Sequence, residues 1–271
     1  MDTVIEFRDV CKAYGDHVAL DHMSLSVGRG EFVTIVGASD GGKTTALKMV
    51  NGLVSPDAGQ VLVNGEDVAE KDQVQLRRSI GYAIQGSVLF PHMTVEQNIA
   101  YVPSLLNRKD RARTEAAVET WMGIVGLDAG LRERYPDELS GGQAQRVGIA
   151  RALAASPEIL LMDEPFGAVD ELTRGQLQTE IARIHRETGI TVLFVTNDVS
   201  EALRLGTRGL GAVMMTFPLA VLDLMPDVRA LLGIPEDHYV GMIVGFGYPE
   251  IPYARGTQRR VAPGRVTRPT L

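Results

Sequence analysis

The chain has 271 residues, 45% hydrophobic and 23% charged, a composition that excludes bulk disorder, a collagen-like repeat and a long coiled coil. At roughly 150 residues per domain it is one large domain or a domain with a substantial appendage. Lys+Arg 27 against Asp+Glu 34 gives a net charge of -7, which argues against nucleic acid as a partner, since such domains are usually basic; anionic ligands must be held by local features.

The single cysteine, Cys11, cannot close an intrachain disulfide, so the expected setting is cytosolic. The opening MDTVIEFRDV alternates apolar and polar residues, as a strand does and a signal peptide does not. The stretch from Gly209 to Leu222 is uncharged but contains Pro218 and falls short of the roughly 18 to 20 residues that span a bilayer. Any membrane role is therefore expected to come through a partner.

In chain order, β-type runs are expected at Thr3 to Phe7 and Phe32 to Val36, the second leading through a glycine-rich loop into a helical pattern from Thr44 to Asn51. Ile80 to Ile84 reads as a strand. Thr94 and Gln97 stand three apart as in a capping box, which predicts a helix from Val95. Helical patterns follow at Arg111 to Val125, Ser140 to Ala155 and Glu171 to Glu187. Between and after the last two, Ile159 to Met162 and Thr191 to Val195 are short all-apolar runs of the kind found in buried parallel strands. Strands alternating with helices indicate an α/β fold. Glycine and proline become denser from Gly206 onward, and the last 17 residues hold five arginines and no acid.

Gly37-Ala38-Ser39-Asp40-Gly41-Gly42-Lys43-Thr44 fits G-x-x-x-x-G-K-[ST] between a predicted strand and a predicted helix, the context a P-loop requires. Backbone N–H groups and the helix N-terminus surround phosphate oxygens there. Lys43 reaches the terminal phosphates, the Thr44 hydroxyl ligates Mg²⁺, and Thr45 follows in the same phosphate-binding set. Ile159 to Glu164 reads as a Walker B strand, with Asp163 holding Mg²⁺ and Glu164 polarising the attacking water. Without the P-loop upstream, that acidic pair would be read as a cap on the next helix.

Leu139-Ser140-Gly141-Gly142-Gln143 lies 23 residues before Asp163, and with it the chain resembles the ATP-binding cassette (ABC) ATPases, whose signature is LSGGQ. Ser140 and Gln143 also form a capping box, and the two readings are compatible because an open helix N-terminus is a phosphate site. The resemblance covers about residues 3 to 205. It implies a P-loop NTPase core in residues 1–205, with an antiparallel β subdomain and a helical subdomain at about 88–155, followed by an atypical C-terminal segment, 206–271.

It implies ATP and Mg²⁺ as ligands, with Ser140 to Gln143 contacting nucleotide held by a second subunit in a head-to-tail dimer. Tyr14 matches the aromatic that stacks on adenine. Gln85 matches the glutamine that senses Mg²⁺ and couples to membrane subunits, and Ala168-Val169-Asp170 resembles the D-loop. The stretches RRSIGYAIQGSVLFPHMTVEQNIAYVP and LLMDEPFGAVDELTRGQLQ are similar to the ATPase subunits of importers for quaternary-amine osmoprotectants such as glycine betaine, carnitine or choline. The implied protein is an importer ATPase, cytoplasmic and peripheral on the inner face of the membrane through permease subunits.

Three departures qualify that expectation. Asp40 stands where the family has glycine, and a carboxylate about 5 Å from a phosphate charge costs roughly 3 kcal/mol at an effective dielectric near 20. Asn197 stands where the family has histidine; it can donate to a γ-phosphate but carries no positive charge, so hydrolysis is expected to suffer more than binding. A non-hydrolysing ATP-binding regulatory module is the rival reading. After Leu205 the sequence is similar to the end of FMN-dependent nitroreductases, with Arg255 and Arg259 as loose matches to flavin-phosphate positions. Gly211 to Met215 is apolar enough to supply a core strand, whereas Val240 to Phe246 has no evident partner. A flavin-binding oxidoreductase fragment is the third and weakest reading.

Overall fold

Two sheets with different burial patterns flank the helix that follows the glycine-rich loop. The computed structural model describes residues 2–37, 39, 41–84, 86, 89–107, 110–167 and 171–205, together with the backbone of strands 211–216 and 241–246. β1 (Thr3–Tyr14) and β2 (His17–Gly28) form a long antiparallel hairpin with Tyr14 opposite His17. With β4 (Ala58–Val63) and β5 (Glu66–Asp67) they make a four-stranded sheet in the order β2-β1-β4-β5. One face of it is dry. Ile5, Phe7 and Val10 are buried beside Val27, Val61 and Val63, while Glu6, Arg8 and Asp9 face outward or toward the sheet edge, the alternation of an antiparallel sheet with one wet side.

The second sheet has six strands in the order β10-β9-β3-β8-β7-β6. Its centre is β3 (Phe32–Gly37), β8 (Thr191–Thr196) and β7 (Ile159–Asp163), in which every residue is buried. Both faces are covered, so these strands read as continuous apolar runs. Successive side chains still part by face: Val33, Ile35, Ile159, Leu161, Leu193 and Val195 pack toward the antiparallel sheet. Phe32, Leu160, Met162, Val192 and Phe194 pack on the opposite side. α1 (Lys43–Val50) lies between the sheets, and its fully buried Leu47 and Val50 join the first cluster. Burial of one such side chain contributes about 1.5–3 kcal/mol.

On the other face lie α5 (Gly141–Leu153) and α6 (Glu171–Thr188). α3 (Val95–Leu106) and α4 (Arg111–Ile124) complete the helical layer through Ile99, Val118 and Trp121. α3 begins where the capping box predicts: the Gln97 N–H donates to Thr94 Oγ1 at 3.3 Å and the Thr94 N–H donates to Gln97 Oε1 at 3.0 Å. Buried Asn98 fastens the preceding loop by accepting from the Phe90 N–H at 2.9 Å and donating to the carbonyls of Phe90, Met93 and Thr94. The remaining helices are α2 (Gln73–Ser79), ahead of β6 (Ile80–Ala83), and α7 (Val199–Leu205), after β8.

β9 (Gly211–Thr216) pairs parallel with β3, as the apolar run Gly211 to Met215 suggests. β10 (Gly241–Phe246) supplies what the sequence does not reveal about Val240 to Phe246: it pairs antiparallel with β9 from Gly241↔Thr216 to Phe246↔Gly211 and borders the core sheet. Residues 206–210, 217–240 and 247–271, with Arg255 and Arg259, lie outside the described residues.

The registers Val36↔Thr196 and Asp163↔Val195 bring the carboxyl ends of β3, β7 and β8 to one edge. In open α/β sheets that edge is where ligands bind.

Candidate nucleotide site

β3 ends at Gly37 and α1 starts at Lys43, so five residues of the glycine-rich loop join them at the sheet edge. Gly42 makes that turn with φ of 72°. A Cβ there would lie 2.1 Å from the Ala19 carbonyl oxygen and 2.8 Å from a Leu20 methyl, so only glycine fits. Gly42 precedes α1 without a side-chain cap, which leaves the helix N-terminus with its positive end directed at the loop. Lys43 is buried at the first position of α1.

Thr44 Oγ1 donates to Asp163 Oδ1 at 2.9 Å, joining the loop to the end of β7. The other carboxylate oxygen, Asp163 Oδ2, accepts from the Tyr82 hydroxyl of β6 at 3.3 Å. Burial, reinforced by the Asp163 charge and hydrogen bond, pushes the Tyr82 phenol well above its ordinary pKa and keeps it a donor. Glu164 turns out of the strand with φ of 44°, its N–H donating to the Val195 carbonyl at 2.9 Å. Asn197, just past β8, donates from its side-chain amide to Glu164 Oε1.

A cleft of about 560 Å³ opens beside these groups. Tyr14, His17 and Ala19 of the hairpin line one end, and Ser39 with Gly41 to Thr45 line the floor. Glu164 and Asn197 complete it. Tyr14 is half exposed, so its ring is available to a ligand, and it is braced by Lys12, whose ammonium lies 5.5 Å from the ring centroid. Lys12 is itself held by Asp57 at 2.6 Å, and Asp57 also accepts from the Ala13 N–H. A larger, shallow depression of about 700 Å³ lies along α6 beside Glu171, Gly175, Gln176 and Thr179. It holds none of the residues of the glycine-rich loop.

Ser140, Gly141, Gly142 and Gln143 do not line this cleft. They form the N-terminus of α5, with Gln143 N–H donating to Ser140 Oγ at 3.2 Å and Ser140 N–H donating to Gln143 Oε1 at 2.8 Å; Ser140 and Gly141 are exposed. Ala38, Asp40 and Gln85 lie outside the described residues, as do Ala168, Val169 and Asp170. Three contributors are absent from the sequence reading. Tyr82 reaches Asp163 only because β6 pairs with β7, and His17 and Ala19 reach the cleft only because the hairpin folds over the loop. No local motif announces any of them.

Strand, glycine-rich loop and helix, with an acidic pair at the end of a parallel strand one place removed in the same sheet, define a P-loop nucleotide-binding domain. The chain belongs to the ABC transporter family, whose model matches residues 20–167, more than half of its length. It is 51% identical over 202 residues to the glycine betaine uptake system ATP-binding protein YehX of Escherichia coli (strain K12), a match covering 74% of this chain and 65% of that protein. It is 45% identical over 243 residues to the choline transport ATP-binding protein OpuBA of Bacillus subtilis (strain 168), covering 89% of this chain and 62% of that one. The chain thus spans 54% to 65% of the length of such curated relatives. The ATP-binding cassette MJ0796, solved as a dimer in a post-hydrolysis state bound to ADP and Pi, superposes with a TM-score of 0.70 at 31% identity over 78% of this chain and 93% of its own. These comparisons do not support the expected likeness of the C-terminal segment to nitroreductases; the choline-transport match, at 89% of the chain, extends past residue 205.

Proposed function

We propose that the chain is the ATP-binding and ATP-hydrolysing subunit of an ABC importer for quaternary-amine osmoprotectants. The observation that carries this reading is that Lys43, Thr44 and Glu164 line one cleft with the half-exposed Tyr14, while buried Asp163 is tied to it through the Thr44 hydroxyl. Tyr14 stacks on adenine, and the loop amides and the α1 N-terminus hold the phosphates. Lys43 neutralises the terminal phosphate charge.

The Thr44 hydroxyl and the Asp163 carboxylate, 2.9 Å apart, are a hard oxygen donor set of the kind Mg²⁺ takes. Mg²⁺ held by these two residues would supply positive charge to the phosphates. Glu164 accepts the proton of a water whose oxygen bonds to the γ-phosphorus, while the bond to the bridging oxygen breaks and ADP leaves with that electron pair. Ser140 and Gly141 are exposed and none of Ser140 to Gln143 lines this chain's own cleft, which fits a role against nucleotide on a second subunit in a head-to-tail dimer.

The transport setting rests on the glycine betaine and choline relatives. No helix among the described residues is long and apolar enough to cross a membrane, so the membrane step belongs to permease subunits, to which the chain attaches at the cytoplasmic face. Residues 1–205 serve as the ATP-binding domain and 206–271 as an extension whose strands border its sheet.

A second reading, a non-hydrolysing ATP-binding module, is favoured by one observation: the neutral Asn197 holds Glu164 where a cationic side chain is usual. Steady-state phosphate release from Mg-ATP by the purified chain separates the two. Turnover lost in Glu164→Gln with nucleotide binding retained supports hydrolysis. Tight binding without turnover supports the module. Restoration of labelled choline or glycine betaine uptake in cells lacking the chain tests the substrate class.

A further inference from the structure

Two bulges stand side by side in the β1–β2 hairpin, one on each strand. Between the pairs Phe7↔Leu25 and Val10↔Met23, β1 carries Arg8 and Asp9 against Ser24 alone. Between Val10↔Met23 and Lys12↔Leu20, β2 carries Asp21 and His22 against Cys11 alone. Each bulge holds a non-glycine residue at positive φ, Asp9 at 52° and His22 at 51°. An extra residue re-aims the side chains around it, and here the two act on the same spot. One ligand atom from each of Cys11, Asp21 and His22 lies within 4.8 Å of the others, and Asp9 Oδ1 is 2.9 Å from His22 Nδ1.

We propose that Cys11, Asp21 and His22 bind a divalent transition-metal ion of the Zn²⁺ type, outside the nucleotide cleft, with Asp9 orienting the histidine. The ring nitrogen nearer the backbone, Nδ1, is committed to the Asp9 carboxylate, so Nε2 carries the lone pair; it faces Asp21 Oδ1 at 3.9 Å. A carboxylate behind a histidine in this way fixes its tautomer and ring orientation. The His22 N–H donates to Cys11 Sγ at 3.3 Å, which holds the sulfur beside the histidine.

Bonds of about 2.0–2.3 Å in a tetrahedral site place ligand atoms roughly 3.3–3.8 Å apart. Closing from 4.8 Å is a movement of about 1 Å, within reach of the half-exposed Asp21 and His22 side chains. Thiolate with imidazole selects Zn²⁺-like ions over Mg²⁺, whose preferred ligands are carboxylate and water, so this site does not compete for the ion of the nucleotide cleft. Three protein ligands leave a fourth position to water. The ion would tie together the two strands that carry Tyr14 and His17 to the cleft.

Because Cys11 is the only cysteine, any thiolate-to-metal charge-transfer absorption has one origin. The test is titration of the reduced, nucleotide-free full chain with Co²⁺, followed in the near ultraviolet and visible, then displacement with Zn²⁺. The expected result is a charge-transfer band with tetrahedral visible bands saturating at one equivalent. It is lost in Cys11→Ser and requires about 10- to 100-fold more Co²⁺ in Asp9→Asn. The proposal is overturned if the native chain shows no such absorption at stoichiometric Co²⁺. It is equally overturned if His22→Gln and Asp21→Asn titrate like the native chain, since the metal would then sit on the thiol alone. The native-chain titration decides the matter even where a variant fails to fold.

Discussion

The amide of Asn197 donates to Glu164 Oε1, so the residue after β8 holds the carboxylate that follows β7. An amide at this position can orient Glu164 but cannot answer the negative charge that gathers on a transferring phosphoryl group. Replacing Asn197 with histidine keeps a donor and adds a titratable positive charge. The expected result is turnover about 10- to 100-fold higher, with nucleotide affinity little changed, because the gain is confined to the transition state. Single-turnover hydrolysis alongside a binding titration distinguishes the two effects. Equal rates in the two proteins would place the limiting step outside the Asn197–Glu164 pair.

Lys43 is buried at the head of α1, and in the proposed function it brings a full charge to the phosphates. Loss of charge-assisted hydrogen bonds costs about 1.5–3 kcal/mol. Lys43→Ala should therefore weaken Mg-ATP binding by about 10- to 150-fold in an equilibrium titration. Unchanged affinity would remove the P-loop assignment.

The legible parts of this protein are those in which function is written contiguously. A phosphate loop needs successive backbone amides, so Gly37 to Thr44 must be adjacent in sequence, and the capping pair Thr94 and Gln97 is likewise local. Tyr82 is different. Its hydroxyl meets Asp163 across 81 positions of chain, and only the β6–β7 register brings them together. The same holds for Asp57, just ahead of β4 on the other side of β1, which holds Lys12 against the Tyr14 ring. The partner of Val240 to Phe246 was hidden for a related reason: β10 completes an edge whose other strand, β9, lies 25 or more residues earlier.

Tyr82→Phe removes the hydroxyl from Asp163 Oδ2 and leaves the ring in place. Asp163 retains Thr44 on its other oxygen at 2.9 Å, so the variant should fold and bind nucleotide without metal normally. Its Mg²⁺ dependence should shift to higher concentration, by about 5- to 10-fold for one lost hydrogen bond of roughly 1 kcal/mol. An unshifted Mg²⁺ titration of turnover would mean that Tyr82 only packs.

Cutting the chain after residue 217 retains β9 and removes β10. Among the described residues the cleft draws none from beyond Asn197, so ATP affinity should stay within about threefold of the full chain. The outer edge of β9 loses its antiparallel partner, and an unpaired edge strand promotes association. Sedimentation should show larger species in the truncated protein, and the full chain should carry no flavin absorbance after purification. Loss of ATP binding on truncation would assign residues beyond 217 to the site itself.

Glu201 is 5% exposed in α7, where it accepts from Gln178 Nε2 at 3.0 Å. Burial pushes its carboxyl above the ordinary glutamate pKa; Thr196, Gln178 and Arg174 pull it down, and Asp198 adds to the rise. A carboxyl whose folded pKa is raised contributes stability that is fully present below its unfolded value and is lost as pH rises through the folded one. At neutral pH and above, the ionised group is therefore a cost to the segment that carries Asn197. Glu201→Gln keeps an acceptor for Gln178 and removes the charge. Its melting temperature should exceed that of the native chain near about pH 8, and the difference should narrow as pH falls toward about 4, where the native carboxyl is protonated. A variant less stable than the native chain at the higher pH would show that Arg174 outweighs burial and that Glu201 serves the fold as a charge.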